Sequence, residues 1–131
     1  MALRIAGLAI LYCLTVFAVG FALGALRTIY LVPALGELPA VALELPVMLA
    51  VSWLAAGWLV RGKAALGPGD ALAVGLIALI LLLLFEAGLF ALMNGAAPWE
   101  ITRHWMTAAG ALGLLGQLAF GLLPWIRARR A

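Results

Sequence analysis

The chain has 131 residues, of which 68% are hydrophobic and only 10% charged, and its mean hydropathy is +1.24. A soluble domain of this size covers its surface with charge, so the composition excludes one and marks a membrane protein. The net charge of +3 follows the placement of basic residues about a membrane and gives no reason to expect a nucleic-acid partner.

Charged residues divide the chain into four apolar stretches, predicting spans over residues 5–29, 38–60, 71–94 and 104–126. Each is near the roughly 20 residues a helix needs to cross a hydrocarbon core of about 30 Å. Barrel strands are about half as long and alternate in polarity, whereas Ala71–Phe85 is an unbroken Leu-rich run. The expected fold is therefore all-α: a polytopic membrane protein with four transmembrane helices in an antiparallel up-down bundle, forming a single domain over 1–131.

Span one follows Arg4. Met1–Gly24 has the outline of a signal peptide, with Ala22-x-Gly24 as a small-x-small site, but the apolar run is too long for a signal core and is read as a retained span. Cys13, the only cysteine, lies inside it and has no internal disulfide partner. A first connection over Leu31–Pro39 contains two prolines and a glycine, with Pro39 suited to the first turn of span two. The second connection runs from Arg61 through Lys63 to Asp70, which is placed to cap span three. Beyond Asn94-Gly95, Pro98 either begins a short interfacial helix or lies within an early start of span four. Trp99 and Trp105 suit one aromatic belt, and Trp58 and Trp125 the other. The two hairpins match too weakly to read as a duplication.

Basic residues set the orientation. With the N-terminus inside, Arg4, Arg61, Lys63, Arg127, Arg129 and Arg130 are cytoplasmic, and only Arg27 and Arg103 lie outside. Both termini are then cytoplasmic.

Three ionisable residues fall within the apolar stretches: Arg27, Glu44 and Glu86. Glu44 precedes Val60 by 16 residues and Glu86 follows Ala71 by 15, which places both about 22–24 Å above the inner ends of their helices at 1.5 Å per residue. Helical spacing aligns Cys13, Phe17, Gly20, Gly24 and Arg27 on span one. It aligns Glu44, Met48, Ser52 and Ala55 on span two, and Gly110, Gly113, Gln117 and Gly121 on span four. Glycines on such faces admit close helix packing, so Gly20, Gly24, Gly110 and Gly113 are candidate packing residues. On span three Glu86 shares its stripe with Leu79, Leu82, Phe90 and Met93, and the remainder reads as lipid-facing.

Pro46 removes the partner of the Ala42 carbonyl, and a freed carbonyl beside Glu44 suggests a place for a proton, cation or water. An unpaired charge is costly in lipid, so Arg27 is expected to pair with one carboxylate while the other holds a proton or meets water. The trio, with Pro46, Ser52 and Gln117 in support, is either a transport or proton-relay site or a structural ion pair between helices. Gln117 on its own reads as helix glue, and Met48, Met93 and Met106 as packing residues. Glu100 and His104 have the i, i+4 spacing of metal ligands, but make too small a set, so no metal is expected. No catalytic triad, phosphate loop, paired-cysteine site or dinucleotide fingerprint occurs, and neither an enzymatic activity nor a cofactor is expected.

The pattern Leu23-Gly-Ala-Leu-Arg27, Pro33-x-x-Gly36 and Ala40-x-x-x-Glu44-x-Pro46-x-Met48 resembles small four-span proteins of bacterial inner membranes that have no assigned activity. The resemblance covers about a third of the chain and implies only location and topology. Small multidrug transporters place a glutamate in the middle of span one, where this chain has none, and the polar pore residues of fluoride channels are missing. The leading expectation is an accessory or structural inner-membrane protein, with the lipid bilayer as partner and no cofactor. The rival is a small proton- or cation-coupled transporter or channel, which requires a homodimer or larger complex to enclose a path. A lipid- or quinone-handling enzyme ranks last.

Overall fold

The structure is a computed structural model that describes residues 2–61 and 67–130. Lys63 and the centre of the second predicted connection lie outside the described residues. The elements are α1 (Ala2–Leu26), a π-helical turn (Arg27–Leu31), α2 (Val32–Leu35), α3 (Glu37–Arg61), α4 (Pro68–Asn94), a 3-10 turn (Pro98–Glu100), α5 (Ile101–Trp105) and α6 (Ala108–Arg130). Among the described residues four helical stretches are long and apolar enough to cross a membrane: Leu3–Leu35, Glu37–Arg61, Pro68–Asn94 and Ala108–Arg129.

The first span is longer than the sequence predicts, and the connection after it is shorter. Pro33 cannot donate to the Ile29 carbonyl and would crowd it in a regular helix. The backbone widens into the π-helical turn just before it, and the helix continues through Leu35. The connection expected over Leu31–Pro39 reduces to Gly36, whose φ of +89° is open chiefly to glycine.

Two further boundaries differ. Asp70 does not cap α4: Gly67 holds the N-cap position and Pro68 opens the helix, leaving Asp70 in the first turn, where its charge faces the helix dipole. At the other end Gly95, at φ +60°, closes α4 in the left-handed conformation. The fourth span begins at Ala108 rather than at residue 104, because Thr107 supplies a cap. Its Oγ1 accepts from the Gly110 N–H at 3.0 Å and its hydroxyl donates to the His104 carbonyl at 2.6 Å. Pro98 accordingly starts a short separate helical segment.

α3 and α4 each pack chiefly against α1 and α6. Side-chain neighbours give the directions. Gly20 lies against Met48 and Arg27 against Glu44, so α1 and α3 run antiparallel. Gly116 meets Leu45 and Gly57 meets Arg127, so α3 and α6 run parallel. Gly75 meets Gly121 while Glu86 meets Gln117, so α4 and α6 run antiparallel.

The buried core occupies the half of the molecule nearest the chain termini. It includes Tyr12, Cys13 and Val16 of α1, Leu59 of α3, Val74 and Ala78 of α4, and Phe120 of α6. Lipid is as apolar as leucine, so this half is held by close packing and internal hydrogen bonds. A Cβ at Gly75 would overlap the Gly121 carbonyl, which sets the α4–α6 distance. Pro124 strips the Phe120 carbonyl of its helical donor, and the Tyr12 hydroxyl donates to that oxygen at 2.7 Å. The two rings stack 4.4 Å apart. Nearer the termini the Arg127 guanidinium sits over the Trp53 ring at 4.3 Å, in space that exists because residue 57 is glycine.

Candidate functional site

Above this packed half the four spans separate around a cavity of about 470 Å³, and each of them contributes to its wall. Arg27, Glu44, Glu86, Gln117 and Ser52 all line it, among mainly apolar neighbours. The stripes traced in the sequence meet here: Phe17, Gly20 and Gly24 from α1, Met48 from α3, Leu82 and Met93 from α4, and Gly113 from α6. Tyr12 and Phe120 are buried at the end nearest the core. A second cavity of about 420 Å³, lined by Glu37, Asn94 and His104, abuts the first and shares Arg27, Glu86 and Gln117 with it.

Arg27 opens the π-helical turn, and its side chain folds back beside Gly24, where an added Cβ would lie 3.6 Å from Nη2. Its Nη1 approaches Glu44 Oε2 at 2.8 Å, and the pair is partly buried. No hydrogen bond of good geometry reaches that oxygen, so the contact is a charge pair that leaves the N–H groups misaligned. The long stem thus points into the bundle rather than toward the membrane surface.

Glu86 has a different partner. Gln117 Nε2 donates to Glu86 Oε1, joining α4 to α6. A carboxylate only accepts, so the amide must present its NH₂ to Glu86 and turn its oxygen away. Gln117 Oε1 is buried, and no donor among the described residues reaches it. The arginine is therefore committed to Glu44, while Glu86 is met by a neutral amide.

The other candidates sort by geometry. Ser52, 2% exposed, lies in the wall toward the core. Pro46 and Ala42 are exposed on the outside of the bundle, because two residues of helix turn the chain through about 200° from Glu44. The carbonyl freed by Pro46 is thus not part of the cavity. Of the packing glycines, Gly20 lies against Met48 on a neighbouring span. Gly24 gives room to Arg27, Gly110 fits against the His104 carbonyl in the α5–α6 turn, and Gly113 meets no atom within 4 Å. The closest contacts between spans are at Gly75, Gly57 and Gly116 instead.

Glu100 accepts from the Ala97 N–H at 3.0 Å, which ties it to its own turn. Among the described residues no three His, Cys, Asp or Glu side chains cluster closely enough to hold a metal ion. The sequence reading passed over His104 as a wall residue of the second cavity, and over the Tyr12, Phe120 and Pro124 set below the first. Pro124 followed by four residues' offset to a lone tyrosine in another span carried no local signal.

The chain matches no family model, no curated protein and no solved structure. Its site is defined by its own geometry.

Proposed function

We propose that this is a small proton- or cation-coupled transporter or channel of a bacterial inner membrane, with Glu86 as the exchanging carboxylate and Arg27 as the counter-charge of Glu44. The observation that carries the reading is the meeting of Arg27, Glu44, Glu86 and Gln117 on one cavity shared by all four spans. Ionisable groups are costly inside a membrane, and they concentrate where a substrate or ion passes. Static glue would need only the Arg27–Glu44 pair, which favours the accessory reading. A neutral amide would join α4 to α6 as well, whereas Glu86 sets a second acidic side chain on a cavity wall, held only by the Gln117 amide.

Among the described residues Arg4, Arg61, Arg127, Arg129 and Arg130 lie toward the side of the termini and Arg27 and Arg103 toward the other, which supports an up-down bundle with both termini cytoplasmic and the cavity in the outer half. The abutting second cavity then faces outward. Four spans are few for enclosing a complete path, so the working form is proposed to be a homodimer.

Proteoliposomes loaded with a pH-sensitive dye test the reading. Under an imposed potential the intact protein should admit protons or exchange them for a cation, Glu86→Gln should fall to the level of empty vesicles, and Glu44→Gln should be impaired. Flux that persists in both variants, or an intact protein no different from empty vesicles, overturns it.

A further inference from the structure

We propose that the cavity selects a lipophilic monocation, a protonated primary or secondary amine on a compact apolar body, with its ammonium group taken by Glu86, which Gln117 holds in position. The inference rests on the cavity being a binding site and names the chemistry of its occupant.

Charge is the first argument. Arg27 and Glu44 offset one another, and the remaining carboxylate, Glu86, takes its hydrogen bond from the neutral Gln117 amide, with His104 and Arg27 on the adjoining wall but in no ion pair with it among the described residues. A ligand carrying one positive charge balances the site, whereas an anion meets an arginine already engaged. Hydrogen-bonding capacity is the second. Gln117 has given its NH₂ to Glu86, so its buried Oε1 is an acceptor with no donor among the described residues. The second oxygen of Glu86 is an acceptor as well. The amide oxygen is turned away from Glu86 and closed off, so the free Glu86 oxygen is the acceptor that calls for N–H donors, and an acceptor left unmet in an apolar site is costly.

Shape separates an organic cation from an inorganic one. About 470 Å³ is within the range of small-molecule sites, and most of the wall is apolar, including Phe17, Phe21, Met48, Leu82 and Phe120. A hydrated metal ion makes no use of such walls. Divalent ions also seek six or more oxygen ligands, and the described residues gather no set of three ligating side chains. Aromatic faces near the charge add attraction for an ammonium group.

The test uses three probes of one shape, adamantan-1-amine, adamantan-1-ol and adamantane-1-carboxylate, titrated calorimetrically into the intact protein in zwitterionic nanodiscs. The amine is expected to bind about tenfold or more tighter than the alcohol, with the carboxylate weakest. Glu86→Gln should remove the preference for the amine, and Glu86→Asp, which restores the charge, should recover part of it. Gln117→Leu should weaken the amine more than the alcohol. Equal binding of amine and alcohol overturns the proposed head-group chemistry while leaving a binding cavity intact, and tightest binding of the carboxylate overturns it in favour of an arginine-led site. If none of the three binds, both this inference and the binding cavity fail. An intact protein that binds the amine selectively yet carries no more proton flux than empty vesicles would instead sink the transport reading alone.

Discussion

At the scale of single residues, the polar contacts divide the molecule into a closed half and an open one. In the closed half the Tyr12 hydroxyl answers a backbone defect in another helix, replacing the donor that Pro124 cannot supply to Phe120. Tyr12→Phe keeps the stacked ring and leaves that carbonyl unmet, at an expected cost of about 1 kcal/mol. Pro124→Ala returns the helical donor, so in that background Tyr12→Phe should cost within about 0.5 kcal/mol of zero. A double-mutant cycle on unfolding in mild detergent measures the difference, and equal costs in the two backgrounds would show that the hydroxyl does not serve this carbonyl. In the open half, the sequence exposed the ionisable trio because charge inside an apolar run is visible by counting. That Arg27 pairs with a carboxylate follows from the cost of a lone charge, but which one it takes was not visible. Arg27 and Glu44 sit on different helices, and the bond from Gln117 to Glu86 depends on the rotation of α6 against α4, which no local pattern encodes. Pro46 misled for a related reason: nearness in sequence set it beside Glu44, while helical geometry turned it to the opposite face.

At the scale of elements, the spans were legible because length and hydropathy decide them, and their ends were less so. Gly36 and Gly95 adopt backbone conformations that glycine permits, yet only the structure shows that Pro33 sits inside a continuing helix rather than in a connection. Glycine spacing likewise pointed to faces that meet other spans, with Gly20 against Met48 and Gly121 against Leu79, but gave no sign of Gly75. Gly75, on the Leu-rich span, packs directly on the Gly121 backbone. Gly75→Ala forces two rigid helices apart and should destabilise the protein by about 1–3 kcal/mol. Gly113→Ala points a methyl into open space and should be neutral or stabilising by up to about 1 kcal/mol through helix propensity. Thermal unfolding in detergent checks both, and a harmless Gly75→Ala would contradict the close α4–α6 approach.

At the scale of the whole molecule, the fold places close packing toward the termini and the cavities toward Gly36. That polarity follows from where the large buried side chains fall along each helix, and it emerges only when the four stripes are superposed. In the proposed orientation the cavity is reached from the outer side. Cys13, the only native cysteine, is fully buried and is replaced by serine as a silent background. Gly113→Cys then sets a thiol on the cavity wall, where nothing within 4 Å obstructs it. A small membrane-impermeant thiol reagent added to oriented vesicles should label this residue rapidly from the outer face, and far more slowly from the inner face. Labelling only from the inner face, or from neither, would contradict an outward-opening cavity.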